Sequence, residues 1–297
     1  MAKKIGIWGW WQGGNLGDNW ILETMTKIFG PASVPINTSV LDFSGFDFVV
    51  CGGGGLFVHN IPEPWNKPIP VPYGVFGVGT EFGVNHEEAK RLFSSSHFFF
   101  VRDNMTLKKM GFLDDEHLVM ADVTFFDPLP TQNNLGNKVL FVWRDNDFDN
   151  VLYGKKVWKD YIGDYISAND WKKEISSVGE IKNHSFDTSK NEINNLMKDV
   201  GLVISQRYHG IVAAIQTGTP CIALDICPKI RAIMEDVGLN DFCLKIGEIK
   251  KFKELYSRCL DEREGIRIKM AKYKNKSFEA VKDAAEIAKN KIRETLK

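Results

Sequence analysis

Ser205, Arg207 and His209 stand at alternate positions in the run GLVISQRYHGIVAAIQTGTPCIALDICPK, residues 201–229, with Lys229 at its end. His209 has a side chain whose unperturbed pKa lies near neutrality, so it can move a proton. Arg207 carries a planar guanidinium that matches phosphate or carboxylate. A proton donor beside an anion-binding group suits chemistry on a phosphorylated or carboxylated substrate. A plainer reading also fits: both residues could cap a helix and pair with surface carboxylates. On spacing alone the two readings weigh evenly.

The elements around these residues follow from apolar pattern and breakers. Gly201 to Ser205 is a short apolar run, expected as a buried strand. Ser205 is expected as an N-cap, with Ile211, Ala214 and Ile215 recurring at helical spacing. Gly218 fits the left-handed residue after that helix, and Pro220 stands where a helix cannot continue. Cys221 to Leu224 restarts a strand, and Lys229 to Val237 reads as a helix closed by Gly238. Gln206, Arg207 and His209 thus fall where a strand hands over to a helix N-terminus, whose N–H groups and dipole favour an anion.

The remaining chain repeats this alternation. Strands are expected at Lys3–Trp10, Phe46–Cys51, Tyr73–Val78, His97–Val101, Leu118–Ala121, Lys138–Trp143, Val178–Ile181 and Phe242–Leu244. Helices are expected at Asp18–Phe29, Asn85–Ser96, Asn104–Met110, Tyr153–Ile166 and Lys190–Lys198. From Ile249 on the pattern is charged and helical, with a break near Gly265. Ile61–Pro72 holds five prolines and reads as a loop, a lid or acceptor-facing surface. Asp127–Gly136 reads as a linker. The fold class is α/β: two Rossmann-like domains with parallel sheets, residues 1–130 and 137–297, the second ending in a helical tail. Ligands of such sheets bind at the carboxyl ends of the strands, where the two domains would face a common cleft.

Composition narrows the classes. The 297 residues are 43% hydrophobic and 26% charged, with Lys plus Arg 38 against Asp plus Glu 38, so the formal net charge is zero. That balance removes the electrostatic case for nucleic-acid binding. No apolar run reaches the ~18 residues of a membrane span, and the start MAKKIGIWGWW reads as a first strand, not a signal peptide. Cys51, Cys221, Cys227, Cys243 and Cys259, an odd number at irregular spacing, read as reduced thiols of a cytoplasmic protein. There is no P-loop, no full dinucleotide fingerprint and no spaced metal cluster.

Across nearly its whole length the chain resembles the polysaccharide pyruvyl transferase family. The resemblance is carried by GGNLGD (Gly13–Asp18), CGGGGLF (Cys51–Phe57), RDNMT (Arg102–Thr106), ADVTF (Ala121–Phe125), Trp143-Arg144 and SQRYHG (Ser205–Gly210), followed by TGTP and Lys229. Thr106 stands where the family more usually has Ser, which keeps a hydroxyl. The resemblance implies a fold similar to the GT-B glycosyltransferases. It also implies transfer of a pyruvyl group from phosphoenolpyruvate to a sugar of a polysaccharide or its precursor, as in exopolysaccharide or cell-envelope glycan synthesis, usually as a cyclic ketal.

That reaction needs cations for a phosphate and a carboxylate, and a proton for the methylene carbon. Arg207 comes first among the cations, then Arg144, Arg102 and Lys229, while Arg91 and Arg231 read as helix-surface residues. His209 is the candidate general acid. Asp18 is the candidate carboxylate that orients it or accepts the acceptor's proton, with Asp122 second. Ser205, Gly14, Asn15, Gly53 and Gly54 complete the expected binding set: Gly14 and Asn15 shape the floor near the acceptor, and Gly53 and Gly54 either approach a ligand or permit tight packing. Among Trp8, Trp10 and Trp11, one could stack on a sugar and at least one belongs to the core. His59 reads as a surface residue; His86, His97, His117 and His184 read as structural. No metal or cofactor is expected; phosphoenolpyruvate is a co-substrate and the acceptor a glycan or lipid-linked sugar. Membrane contact is peripheral at most, and assembly into homo-oligomers is compatible with the sequence. The competing readings are a GT-B glycosyltransferase using a nucleotide sugar, with Arg207 and Lys229 on the diphosphate, and a non-catalytic binder of a phosphorylated ligand.

Overall fold

The structure is a computed structural model and describes residues 3–11, 16–57, 60–111, 115–142 and 190–297. Gly14, Asn15, Arg144, His59 and His184, and the expected elements at 153–166 and 178–181, lie outside the described residues. The contacts divide the chain into two compact units, one holding the residues up to Pro128 and Asn275–Lys297, the other the residues from Leu129 and Lys190–Lys274.

The first unit is built on strands β1 (Ile5–Gly9), β2 (Val34–Asn37), β3 (Phe48–Gly52), β4 (Tyr73–Val78) and β5 (Phe99–Val101). Among the described residues they form one parallel sheet in the order β2-β1-β3-β4-β5. FVVCG and YGVFGV are buried at every position, the pattern of central strands covered on both faces. The edge strand β2, VPIN, was not expected. It contains Pro35, which lacks an N–H for a ladder and suits an edge. Helices α1 (Leu16–Phe29) and α2 (His86–Ser95) join strands of this sheet and α3 (Asn104–Met110) follows its last strand, with Asn85 and Asp103 as N-caps of α2 and α3 and Gly111 in the left-handed C-cap of α3.

Two local expectations are corrected here. Leu118–Ala121 makes only a single bridge, Val101 to Val119, because Ala121 turns the chain at φ +73° into a 3₁₀ turn over Val123–Phe126. The proline-rich loop sends Trp65, fully buried, into the core against Trp8 at 5.4 Å and Tyr73 at 5.6 Å. Arg91 donates to the carbonyls of Trp65 and Lys67 at 2.8 Å, so it anchors that loop.

The second unit holds β6 (Lys138–Val142), α4 (Lys190–Met197), β7 (Val200–Ser205), α5 (Tyr208–Thr217), β8 (Cys221–Asp225), α6 (Pro228–Val237), β9 (Cys243–Lys245) and α7 (Phe252–Asp261). Its described strands form a parallel sheet in the order β6-β7-β8-β9. The final helix, α8, runs Arg263–Thr295 and its break from α7 falls at Glu262, with Gly265 inside the helix. The expected second domain ran to residue 297, whereas Asn275–Lys297 groups with the first unit. That stretch buries Val281, Ala284, Ala285, Ala288 and Ile292 at helical spacing, and Thr295 Oγ1 lies 3.0 Å from His97 Nδ1.

Candidate functional site

In the second unit the residues of interest collect where β7 and β8 end. The two strands are paired, with Ser205 opposite Ala223, so α5 and α6 start from neighbouring strands about 4.8 Å apart. Ser205 is fully buried. Its Oγ accepts from the Arg207 N–H at 3.0 Å and donates to the Arg207 carbonyl at 2.8 Å. Ser205 therefore shapes the turn, and Arg207, not Ser205, occupies the N-cap position of α5, with an extended backbone. The expectation of Ser205 as cap is corrected by two residues: its hydroxyl bonds back to the turn before the helix has begun.

Arg207 and His209 thus sit on opposite sides of the first residue of α5, and both are partly exposed, while Tyr208 and Gln206 are buried. The ring of Tyr208 meets that of His209 edge-on, with centroids 5.3 Å apart at 85°. Gly210 is required one residue later, because a Cβ there would lie 2.3 Å from Ser205 Oγ and 3.0 Å from Val142 Cγ1. Strand β6 ends at Val142 beside Ser205. On the other side Cys227 is the N-cap of α6, Pro228 opens it and Lys229 follows, partly exposed. Neither N-cap residue bonds the first turn of its helix with its own side chain. Two helix N-termini with Arg207, His209 and Lys229 at their tips form a positively biased strand end.

A pair that sequence reading missed stands at the end of β8. Asp225, 5% exposed, is bonded to Arg231 of α6. Arg231 is therefore held to the strand end by a buried carboxylate, which six residues of sequence separation across a strand–helix turn did not announce.

In the first unit Asp18 lies in the first turn of α1, where a carboxylate is favoured by the helix dipole. Its Oδ1 is 3.4 Å from the point where a Cβ on Gly54 would stand. Gly53 and Gly54 have φ of +69° and +72°, and a Cβ on Gly53 would lie 2.2 Å from Ile21. The turn is knitted to β4: Gly53 N–H donates to Phe76 O at 2.8 Å, and Gly79 N–H donates to Gly54 O at 2.8 Å. Tight packing accounts for Gly53, whereas Gly54 borders a candidate carboxylate. Glu81, not anticipated, is 4% exposed with an oxygen 3.3 Å from the Cβ point of Gly55. Lys109 donates to the Glu81 carbonyl, and burial lowers the Lys109 pKa.

Arg102 and Asp122, expected to meet substrate, are both buried and bonded to neighbouring residues of the first unit. Arg102 is 2% exposed, donates to Asp103 Oδ2 at 2.9 Å and lies flat on Gly79, whose Cβ would be 2.5 Å from a guanidinium nitrogen. Asp103 also accepts from the Thr106 N–H and hydroxyl at 2.7 Å, and Thr106 Oγ1 accepts from Thr80 N–H at 3.0 Å. Asp122 is 1% exposed and caps the 3₁₀ turn through Thr124 N–H at 3.0 Å and Thr124 Oγ1 at 2.7 Å. Trp8 and Trp11 are core residues and Trp10 is 53% exposed, leaving Trp10 as the indole open to solvent. Burial pushes the Cys51 thiol well above its ordinary range.

A model of the polysaccharide pyruvyl transferase family matches residues 15–228, which takes in strands β2 to β8 and the Ser205–Gly210 turn. The chain belongs to that family and is a transferase, and the family implies a glycan acceptor. No curated protein is significantly similar to it. Among solved structures, an uncharacterized protein from Klebsiella pneumoniae subsp. pneumoniae is 15% identical with TM-score 0.48, over 81% of this chain and 90% of that one. The O-GlcNAc transferase of Thermobaculum terrenum is 9% identical with TM-score 0.45, over 100% of this chain and 68% of that one. TarM is 13% identical with TM-score 0.40, over 82% and 53%. Among the described residues no helix is long and apolar enough to cross a membrane, and no group of three or more His, Cys, Asp or Glu could hold a metal ion.

Proposed function

We propose that this protein transfers a pyruvyl group from phosphoenolpyruvate to a sugar of a polysaccharide or its precursor, closing a cyclic ketal. The observation that carries the reading is the placement of Arg207 and His209 at the front of α5 and of Lys229 at the front of α6, two helices that start from paired strands. The donor brings a phosphate and a carboxylate, and Arg207 and Lys229 supply cations of matching geometry. His209, as imidazolium, gives its proton to the methylene carbon, and the adjacent carbon becomes electrophilic. A sugar hydroxyl adds there and loses its proton to a base. The C–O bond to phosphate then breaks, phosphate departs with the electron pair, and a second hydroxyl adds and releases its proton. The sum is one phosphoenolpyruvate and one diol giving one ketal and inorganic phosphate. The glycan is a cell-envelope or exopolysaccharide component made in the cytoplasm.

Replacing His209 by Ala removes the acid alone. Phosphate release is expected to fall by about 10²–10⁴-fold in kcat while stabilisation by phosphoenolpyruvate survives. Turnover equal to that of the native protein would remove His209 from the reaction.

A further inference from the structure

Every residue of α5 except His209 is buried. Its flanks are apolar, and apolar packing is non-directional, so it resists sliding along the helix axis only through shape. Polar bonds at the two ends add directional restraint to that packing. The front has no slack at Gly210, as described. At the rear the chain turns through Gly218, φ +69°, and the Gly218 and Thr219 N–H groups return to Ile215 O at 3.2 Å and Ala214 O at 2.9 Å.

The Gln216 carbonyl at that end is taken by Lys274 Nζ at 2.6 Å. The same ammonium donates to Leu129 O at 2.9 Å and Thr131 Oγ1 at 2.8 Å, which uses all three of its donors. The segment from Leu129 to Gln132 closes the other side. Leu129 N–H donates to Gln216 Oε1 at 2.7 Å, Gln132 N–H to Thr217 O at 2.8 Å, and the Gln132 amide to Thr219 Oγ1 at 2.8 Å. Arg267, two turns before Lys274 on α8, donates to Gln132 O at 2.7 Å. All of these residues lie in the second unit. The acceptors of Lys274 are uncharged, no carboxylate is bonded to it among the described residues, and burial pushes its pKa down. A cation half-buried without a counter-charge is costly, and the carbonyl end of a helix is where the dipole offsets part of that cost.

We propose that Lys274 is a positioning residue for the donor site: by fixing the rear end of α5 it sets where Arg207 and His209 stand at the front. This rests on the reading of that front end as the phosphoenolpyruvate site. Lys274 lies on the last helix, beyond residues 15–228 of the family match.

The test compares Lys274→Met, Lys274→Arg and Leu255→Ala, the last a buried second-unit residue of α7 outside the brace. Phosphoenolpyruvate affinity is measured by calorimetry and the titration of the His209 imidazole by NMR on the full chain. Lys274→Met is expected to weaken binding about tenfold or more and to move the His209 midpoint, since a displacement near 1 Å is costly at such a site. Lys274→Arg should restore both, and Leu255→Ala should lower Tm without either effect. The proposal is overturned if Lys274→Met lowers Tm as Leu255→Ala does while affinity and the His209 midpoint stay native. If the native protein does not bind phosphoenolpyruvate, the donor reading fails, and the His209 midpoint alone still decides the role of Lys274.

Discussion

An arginine beside a strand end can serve a ligand, the fold or both, and the two described candidates differ in burial. Arg102 is enclosed, ion-paired to Asp103 and pressed on Gly79; breaking such a pair on one side leaves a buried charge and costs about 3–5 kcal/mol. Arg207 is partly exposed at a helix tip. The sequence placed Arg207 first among the cations and kept Arg102 behind it, because nothing in RDN states that this guanidinium meets the carboxylate beside it. The cysteines were legible as reduced thiols, and burial sets their reactivity. Cys51 and Cys221 are held well above the ordinary thiol value of 9.0, and Cys243 and Cys259 are pushed up to about 12. Unfolded thiols ionise near 9.0 while the folded ones keep their protons to about 12, so unfolding releases protons in that window. Their contribution to stability is therefore complete below pH 9 and is lost as pH rises toward 12. Thiol reagents at pH 8 should label the native protein slowly and the denatured protein at once; rapid native labelling would contradict the burial.

At the scale of elements, the strand–turn–helix units were readable where apolar runs end in glycine or a capping residue. β4, α2, α3 and α5 followed their sequence signals, and Gly111, Gly218 and Gly238 all close helices in the left-handed region. β2 was hidden because Pro35 argues against a strand unless the strand is an edge. Ser205 was misplaced as a cap because its preference for helix starts is equally met by bonding its own turn. Glu81 gave no signal, since its importance depends on a glycine turn 26 residues earlier in the chain. The packing at α5 makes Gly210 a sensitive position. Gly210→Ala should destabilise the protein by about 1–3 kcal/mol, read from the urea midpoint, and weaken donor binding with it. Gly265→Ala on α8, which meets nothing within 4 Å, should instead stabilise by up to about 1 kcal/mol. Equal effects at the two glycines would remove the claim that the front of α5 has no slack.

For the whole molecule, composition and alternation were enough to give two α/β units with parallel sheets, and the order of motifs gave the family. The return of Asn275–Lys297 to the first unit was not legible, because a charged helix with a modest apolar stripe does not say which core it serves. A zero net charge leaves no general field to draw in an anion, so the proposed donor recognition relies on local charge, for which Arg207, His209 and Lys229 are the candidates. The most direct measurement is calorimetry of phosphoenolpyruvate and of a panel of nucleotide sugars against the native protein and Arg207→Ala. Phosphoenolpyruvate should bind the native protein and lose about ten- to a hundredfold in Arg207→Ala, the scale of a lost charge-assisted hydrogen bond, while the nucleotide sugars do not bind. A nucleotide sugar that binds with Arg207 dependence, with no heat from phosphoenolpyruvate, would contradict pyruvyl transfer and make the protein a glycosyltransferase.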